Sequence, residues 1–168
     1  ILSDALLIRD IPFFMDNKRS LILNPGVTFL RSILEVIDSD FSYESVFKFL
    51  KSGIEVLDID MVDILENYVI ACGIRGHKRY FNTFLAKRRR MPEEEYIRIN
   101  EIREQFKDVT KDIYEAFKGK GKKEAKKLTV REMTEQLYYF IERFHLADKL
   151  KEMEEAFTGV SRTGAAVS

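Results

Sequence analysis

Apolar residues recur three and four positions apart through most of this chain, the spacing that places them on one face of an α-helix. The first such run is Phe29, Leu30, Ile33, Leu34 and Ile37, with Asn24 suited to the N-cap and Pro25 to the first helical position. Ser42 then opens a helix carrying Tyr43, Val46, Phe47 and Leu50, for which Gly53 is a C-terminal stop. A third run, Met61, Ile64, Leu65, Tyr68, Val69 and Cys72, is expected to be capped by Asp60 and ended by Gly73. After the loop Gly73–His77 a brief helix is expected from Lys78 to Leu85. Pro92 begins the longest helix, whose stripe is Tyr96, Ile99, Ile102, Phe106, Val109, Ile113 and Phe117. Thr129 with Glu132 forms a capping box ahead of Val130, Met133, Leu137, Phe140, Ile141 and Phe144. Leu146 to Phe157 continues as a weaker amphipathic segment.

Three stretches break the helical period. Ile1 to Ile8 suits a buried strand or a short helix, and the pattern does not choose between them. Pro12 holds Ile11 extended, so a short strand is expected over Ile11–Met15, followed by a turn at Asp16–Ser20. Gly119-Lys120-Gly121-Lys122-Lys123 reads as a mobile loop, and the small polar tail 158–168 as disordered. The expected architecture is mainly α: a helical domain over 1–157 with roughly six to eight helices and at most one short strand near the N-terminus. A chain that starts at Ile1 rather than at Met reads as an excised piece of a longer one.

Length and composition agree with a single globular domain. The chain has 168 residues, 45% of them apolar, with thirteen Phe and seven Tyr for its core. One cysteine, Cys72, excludes an internal disulfide and any multi-cysteine zinc or iron–sulfur site built by this chain alone. That usage and the lack of a secretory pattern suggest a cytoplasmic setting. No apolar run approaches the ~18 residues of a membrane span, so no membrane partner is expected.

The formal net charge is zero, but it is unevenly spread. Residues 1–84 hold 9 basic and 12 acidic side chains, and residues 85–168 hold 19 and 16. Lys87-Arg88-Arg89-Arg90 forms one basic cluster. Lys118 to Arg131 forms a second, with seven basic residues against the single acid Glu124. Clustered Lys and Arg bind phosphates without reading base sequence, which makes Lys18, Arg19, Lys87, Arg88, Arg89, Arg90, Lys120, Lys122 and Lys123 the candidate DNA contacts. Local neutralisation by Glu93-Glu94-Glu95, or a simply solvated lysine loop, is the plainer reading of each cluster.

Candidate chemistry is otherwise sparse. Asp58, Asp60, Asp63 and Glu66 could in principle hold a divalent cation or serve a metal-dependent hydrolase. Acids at the start of a helix more often satisfy free N–H groups and complement the dipole. His77 and His145 stand far apart, and Cys72 reads as a buried inert thiol. The glycine–lysine loop lacks the spacing and hydroxyl of a phosphate loop. Tyr80, Phe81 and Phe84 could stack on bases, although core packing accounts better for most of the aromatics. No catalytic, metal or cofactor residue is assigned.

Four segments, in order, resemble a known family. Ile11-Pro12-Phe13-Phe14-Met15-Asp16-Asn17-Lys18-Arg19 is similar to a stretch of AddB-type subunits of ATP-dependent helicase–nucleases. Asn24-Pro25 through Ile37 is similar to the helix that follows, with Asn24 where the family usually has histidine. Tyr43 to Gly53 and Leu65 to Gly76 complete the set, and Lys78-Arg79-Tyr80-Phe81 stands where the family usually places a tryptophan. The resemblance covers about the first half of the chain. It implies an internal helical insertion of the second helicase-like domain, with residues 1–20 at the junction to the motor domain. It also implies an AddA-type motor–nuclease partner, DNA as the shared substrate, and a role in double-strand-break resection. No nuclease residue or cluster cysteine of the family falls in this chain, so none is carried over. A helical protein-interaction module without nucleic-acid contact is the alternative.

Overall fold

A computed structural model of the chain describes residues 24–87, 90–119 and 128–164, with side chains of the last helix followed to Ala156. The expected features of Ile1–Ile8, Ile11–Met15 and Asp16–Ser20 lie outside the described residues, as does most of the glycine–lysine loop. The described residues form seven helices and no strand: α1 (Pro25–Asp38), α2 (Tyr43–Leu50), α3 (Ile59–Cys72), α4 (His77–Phe81), α5 (Glu93–Lys118), α6 (Val130–Arg143) and α7 (Leu146–Gly164). The fold is mainly α.

The caps show how local chemistry sets the helix ends. Asn24 accepts from the amides of Gly26 and Val27, at 2.9 and 3.3 Å, with Pro25 opening α1. Ser42 accepts from Ser45 N at the start of α2. Thr129 and Glu132 form the expected reciprocal box on α6. Three boundaries differ from expectation. The cap of α3 is Asp58, which accepts from Asp60 N at 2.9 Å, so Asp60 falls in the first turn. α2 ends at Leu50, leaving Gly53 in the loop beyond. α4 stops at Phe81, short of Leu85, because the chain straightens at Asn82. The backbone of α7 remains helical to Gly164, past Phe157 where a disordered tail was expected to begin.

Helix α5 is the central rod. It packs against α1, α3, α4 and α6, while α1 also packs on α2 and α7. Its inner face buries Ile99, Ile102, Phe106 and Ile113. Two aromatic nests fill the core. In one, the Phe29 ring lies 5.2 Å from Phe49, 5.6 Å from Phe140 and 5.2 Å from Phe144. In the other, Phe41 lies 5.3–6.0 Å from the rings of Tyr80, Phe81, Phe106 and Tyr114. Such pairs add about 0.5–1.5 kcal/mol beyond simple burial. Buried hydroxyls are satisfied locally: Ser32 donates to Phe29 O at 2.7 Å and Thr110 to Phe106 O at 2.9 Å. The α6 stripe is only partly used, since Phe140 is buried whereas Val130 and Met133 are exposed.

The corner between α1 and α2 is unusual. Asp40 and Phe41 both adopt left-handed backbone, with φ of 51° and 59°. That conformation costs an L-residue roughly 1–2 kcal/mol. It turns the chain sharply enough to bury Phe41 completely. Asp40 then accepts from His77 N at 3.4 Å and pairs with the His77 ring.

The far end is tied back to the beginning. Lys149 Nζ donates to Glu55 O at 2.9 Å. Leu150 approaches Gly26 so closely that a Cβ there would lie 2.9 Å from its Cδ1.

Candidate nucleic-acid interface

From Asn67 to Pro92 the chain contains seven Lys and Arg residues and no Asp or Glu. The structure turns this composition into a surface. α4 buries Tyr80 on one side and leaves Lys78 and Arg79 in solvent, with Arg75 exposed just before it. Among the described residues none of these three cations has a carboxylate partner. Beyond α4 the chain runs without helix, turn or bend from Thr83 to Lys87.

That run is held from one side only. Asn100 of α5 accepts from Phe84 N at 2.8 Å, and Tyr96 donates to Phe84 O at 2.6 Å. Tyr68 of α3 donates to Ala86 O. Arg103 secures the arrangement: although charged it is 4% exposed, donates to Tyr80 O at 3.2 Å and Asn100 Oδ1 at 3.4 Å, and pairs with Glu104. The neighbouring Lys107 and Arg103 hold the Glu104 carboxyl below the usual carboxylate range. Between α4 and the run lies a groove of about 420 Å³. Ile74 and Phe84 form its floor, and Lys78 and Arg79 its rim.

Of the nine predicted DNA contacts, Lys87 and Arg90 are described; Lys18, Arg19, Arg88, Arg89, Lys120, Lys122 and Lys123 lie outside the described residues. Lys87 pairs with Glu93 at 2.5 Å and lies 4.5 Å from the centre of the Tyr96 ring, the local neutralisation that the glutamate run suggested. Arg90 is exposed and left-handed, with φ of 67°. Arg75, Lys78 and Arg79 were not among the predicted contacts. The acid-free composition around them was the available signal. Tyr80 and Phe84 are 0% and 2% exposed and belong to the core, so they present no free ring face for stacking.

The acidic set is accounted for by folding chemistry. Asp58 caps α3, and Asp60 lies in its first turn. Glu66 accepts from Lys51 at 2.6 Å and from Tyr43 at 2.9 Å, with Asp63 3.9 Å from the same ammonium. The hydrogen bond from Lys51 comes first among the causes that lower the Glu66 pKa. Among the described residues, no group of three or more His, Cys, Asp or Glu is placed to hold a metal ion. No described helix is long and apolar enough to cross a membrane. Cys72 is half-buried at the end of α3.

No protein-family model matches the chain. Curated relatives do. It is 36% identical over 157 residues to the AddB-type subunit of the ATP-dependent helicase/deoxyribonuclease of Lachnoclostridium phytofermentans, covering 94% of this chain and 13% of that protein. It is 33% identical over 166 residues to the corresponding subunit from Clostridium botulinum strain Hall, covering 94% of this chain and 14% of the relative. The figures for the Clostridium kluyveri protein are 34% over 163 residues, 91% and 14%. The chain thus spans 13–14% of the length of these relatives.

Proposed function

Since the chain belongs to the family of AddB-type subunits of ATP-dependent helicase/deoxyribonucleases, we propose that it forms a non-catalytic helical module of a bacterial helicase–nuclease acting in double-strand-break resection and recombinational repair. It corresponds to an internal helical insertion of the second helicase-like domain. It works in the cytoplasm beside an AddA-type motor–nuclease subunit and holds no cofactor of its own. Its task is to guide DNA past the motor by contact with the phosphate backbone.

One observation carries this reading: the stretch Asn67–Pro92 is rich in cations, free of acids and placed largely at the surface. Such a surface favours phosphates of any base sequence, which suits an enzyme that must travel along DNA. The run 87–90 adds four consecutive cations, of which Lys87 is restrained by Glu93.

The test is binding of fluorescent duplex and single-stranded oligonucleotides at several salt concentrations. Reversing Lys87, Arg88, Arg89 and Arg90 to Glu should weaken binding at least about tenfold and lower the salt slope by about 3 to 4. Reversal of Lys120, Lys122 and Lys123 should have a smaller effect of the same kind. Absence of binding by the wild-type chain at low salt rejects the DNA contact.

A further inference from the structure

We infer that the groove between α4 and the run Thr83–Lys87 docks an extended, acidic and apolar segment of a protein partner, which pairs with the open backbone edge at Leu85. This goes beyond DNA guidance, and it uses Leu85, Lys78 and Arg79 rather than the 87–90 cations.

The backbone supplies the first argument. The inward polar groups of Phe84 and Ala86 are taken by Asn100, Tyr96 and Tyr68. Among the described residues, the N–H and C=O of Leu85 have no protein partner, and neither do those of Thr83. A straight run with one side satisfied and the other open is a template for strand addition. Because side chains from α3 and α5 already hold the run, a partner strand need not supply the entropy of ordering it.

Side chains supply the second argument and identify the occupant. Leu85 is 85% exposed, the most exposed large apolar residue described, and it stands next to a floor made by Ile74 and Phe84. Exposed apolar surface beside a formed groove marks an interaction site. Lys78 and Arg79 on the rim lack carboxylate partners among the described residues, so carboxylates alternating with apolar residues complement both floor and rim. A nucleic-acid strand fits less well. Its bases need open ring faces, and the nearby aromatics Tyr80 and Phe84 are buried.

The test uses a fluorescent peptide alternating glutamate and valine. The expected result is saturable binding, slower hydrogen exchange at the Leu85 amide, and binding about tenfold weaker for a glutamate–serine peptide of equal charge. Leu85→Pro removes the edge N–H at a position whose amide has no partner. It should weaken binding at least about tenfold, as should Lys78→Glu combined with Arg79→Glu. If Leu85→Pro perturbs the fold by circular dichroism, Leu85→Asp replaces it and should repel the peptide equally. The inference is overturned if the peptide does not bind, if the Leu85 and rim variants bind it normally, or if oligothymidylate displaces it. Loss of DNA binding on reversing 87–90, with peptide binding intact, separates the two proposals.

Discussion

Tyr80 carries a hydroxyl that is buried without a hydrogen-bond partner, and burial pushes its phenol well above the usual tyrosine range. Removing an unpaired buried hydroxyl relieves a desolvation cost. Tyr80→Phe should therefore leave stability unchanged or raise it by up to about 1–2 kcal/mol, read from urea unfolding. Asn100→Ala makes the opposite case, because it leaves the buried Phe84 amide without its acceptor. It should cost about 1–3 kcal/mol by the same measurement. Glu66 gives a pH signature. Its carboxyl is depressed in the folded state, so its contribution is complete above the unfolded value near 4.5 and is lost as pH falls through the lower folded value. In acid titrations from about pH 5 downward, Glu66→Gln should lose less stability than the wild type.

At the scale of elements, α5 holds the fold together by burial rather than by its charged surface. Phe106 is fully buried against Phe41 and Tyr80, so Phe106→Ala should cost about 3–5 kcal/mol and lower Tm accordingly. The α5 stripe was readable because period and burial coincide along one rod. Its polar hub was not. Asn100 and Arg103 sit among charged neighbours in sequence, and their partners are backbone atoms of Phe84 and Tyr80, which only folding brings near. The α3 cap shows a smaller limit. Asp58 and Asp60 are both good caps two residues apart, and spacing alone does not choose between them. Burial of Leu57 and Val62 sets the helix start at Ile59. The α6 stripe errs in the other direction: its period is helical, but Val130 lies beyond the reach of the described core.

Across the whole molecule, the buried residues form one continuous cluster that runs from Phe29 to Leu146. A shared core favours a single cooperative transition. Thermal unfolding followed by far-ultraviolet dichroism and by tyrosine absorbance should give the same midpoint. The candidate interface was half legible. The run 87–90 stands out in the sequence, whereas Arg75, Lys78 and Arg79 are separated by apolar residues and become a rim only once α4 buries Tyr80. The left-handed corner at Asp40–Phe41 joins the two aromatic nests, since α1 and α2 on either side of it carry Phe29 and Phe49 while Phe41 itself belongs with Tyr80 and Phe106. It therefore acts as a rivet between halves that could otherwise shear. Asp40→Gly trades strain relief against the lost tether to His77. Even where global stability is unchanged, it would loosen the rivet, and α1 and α2 would open on their own before α5 gives way.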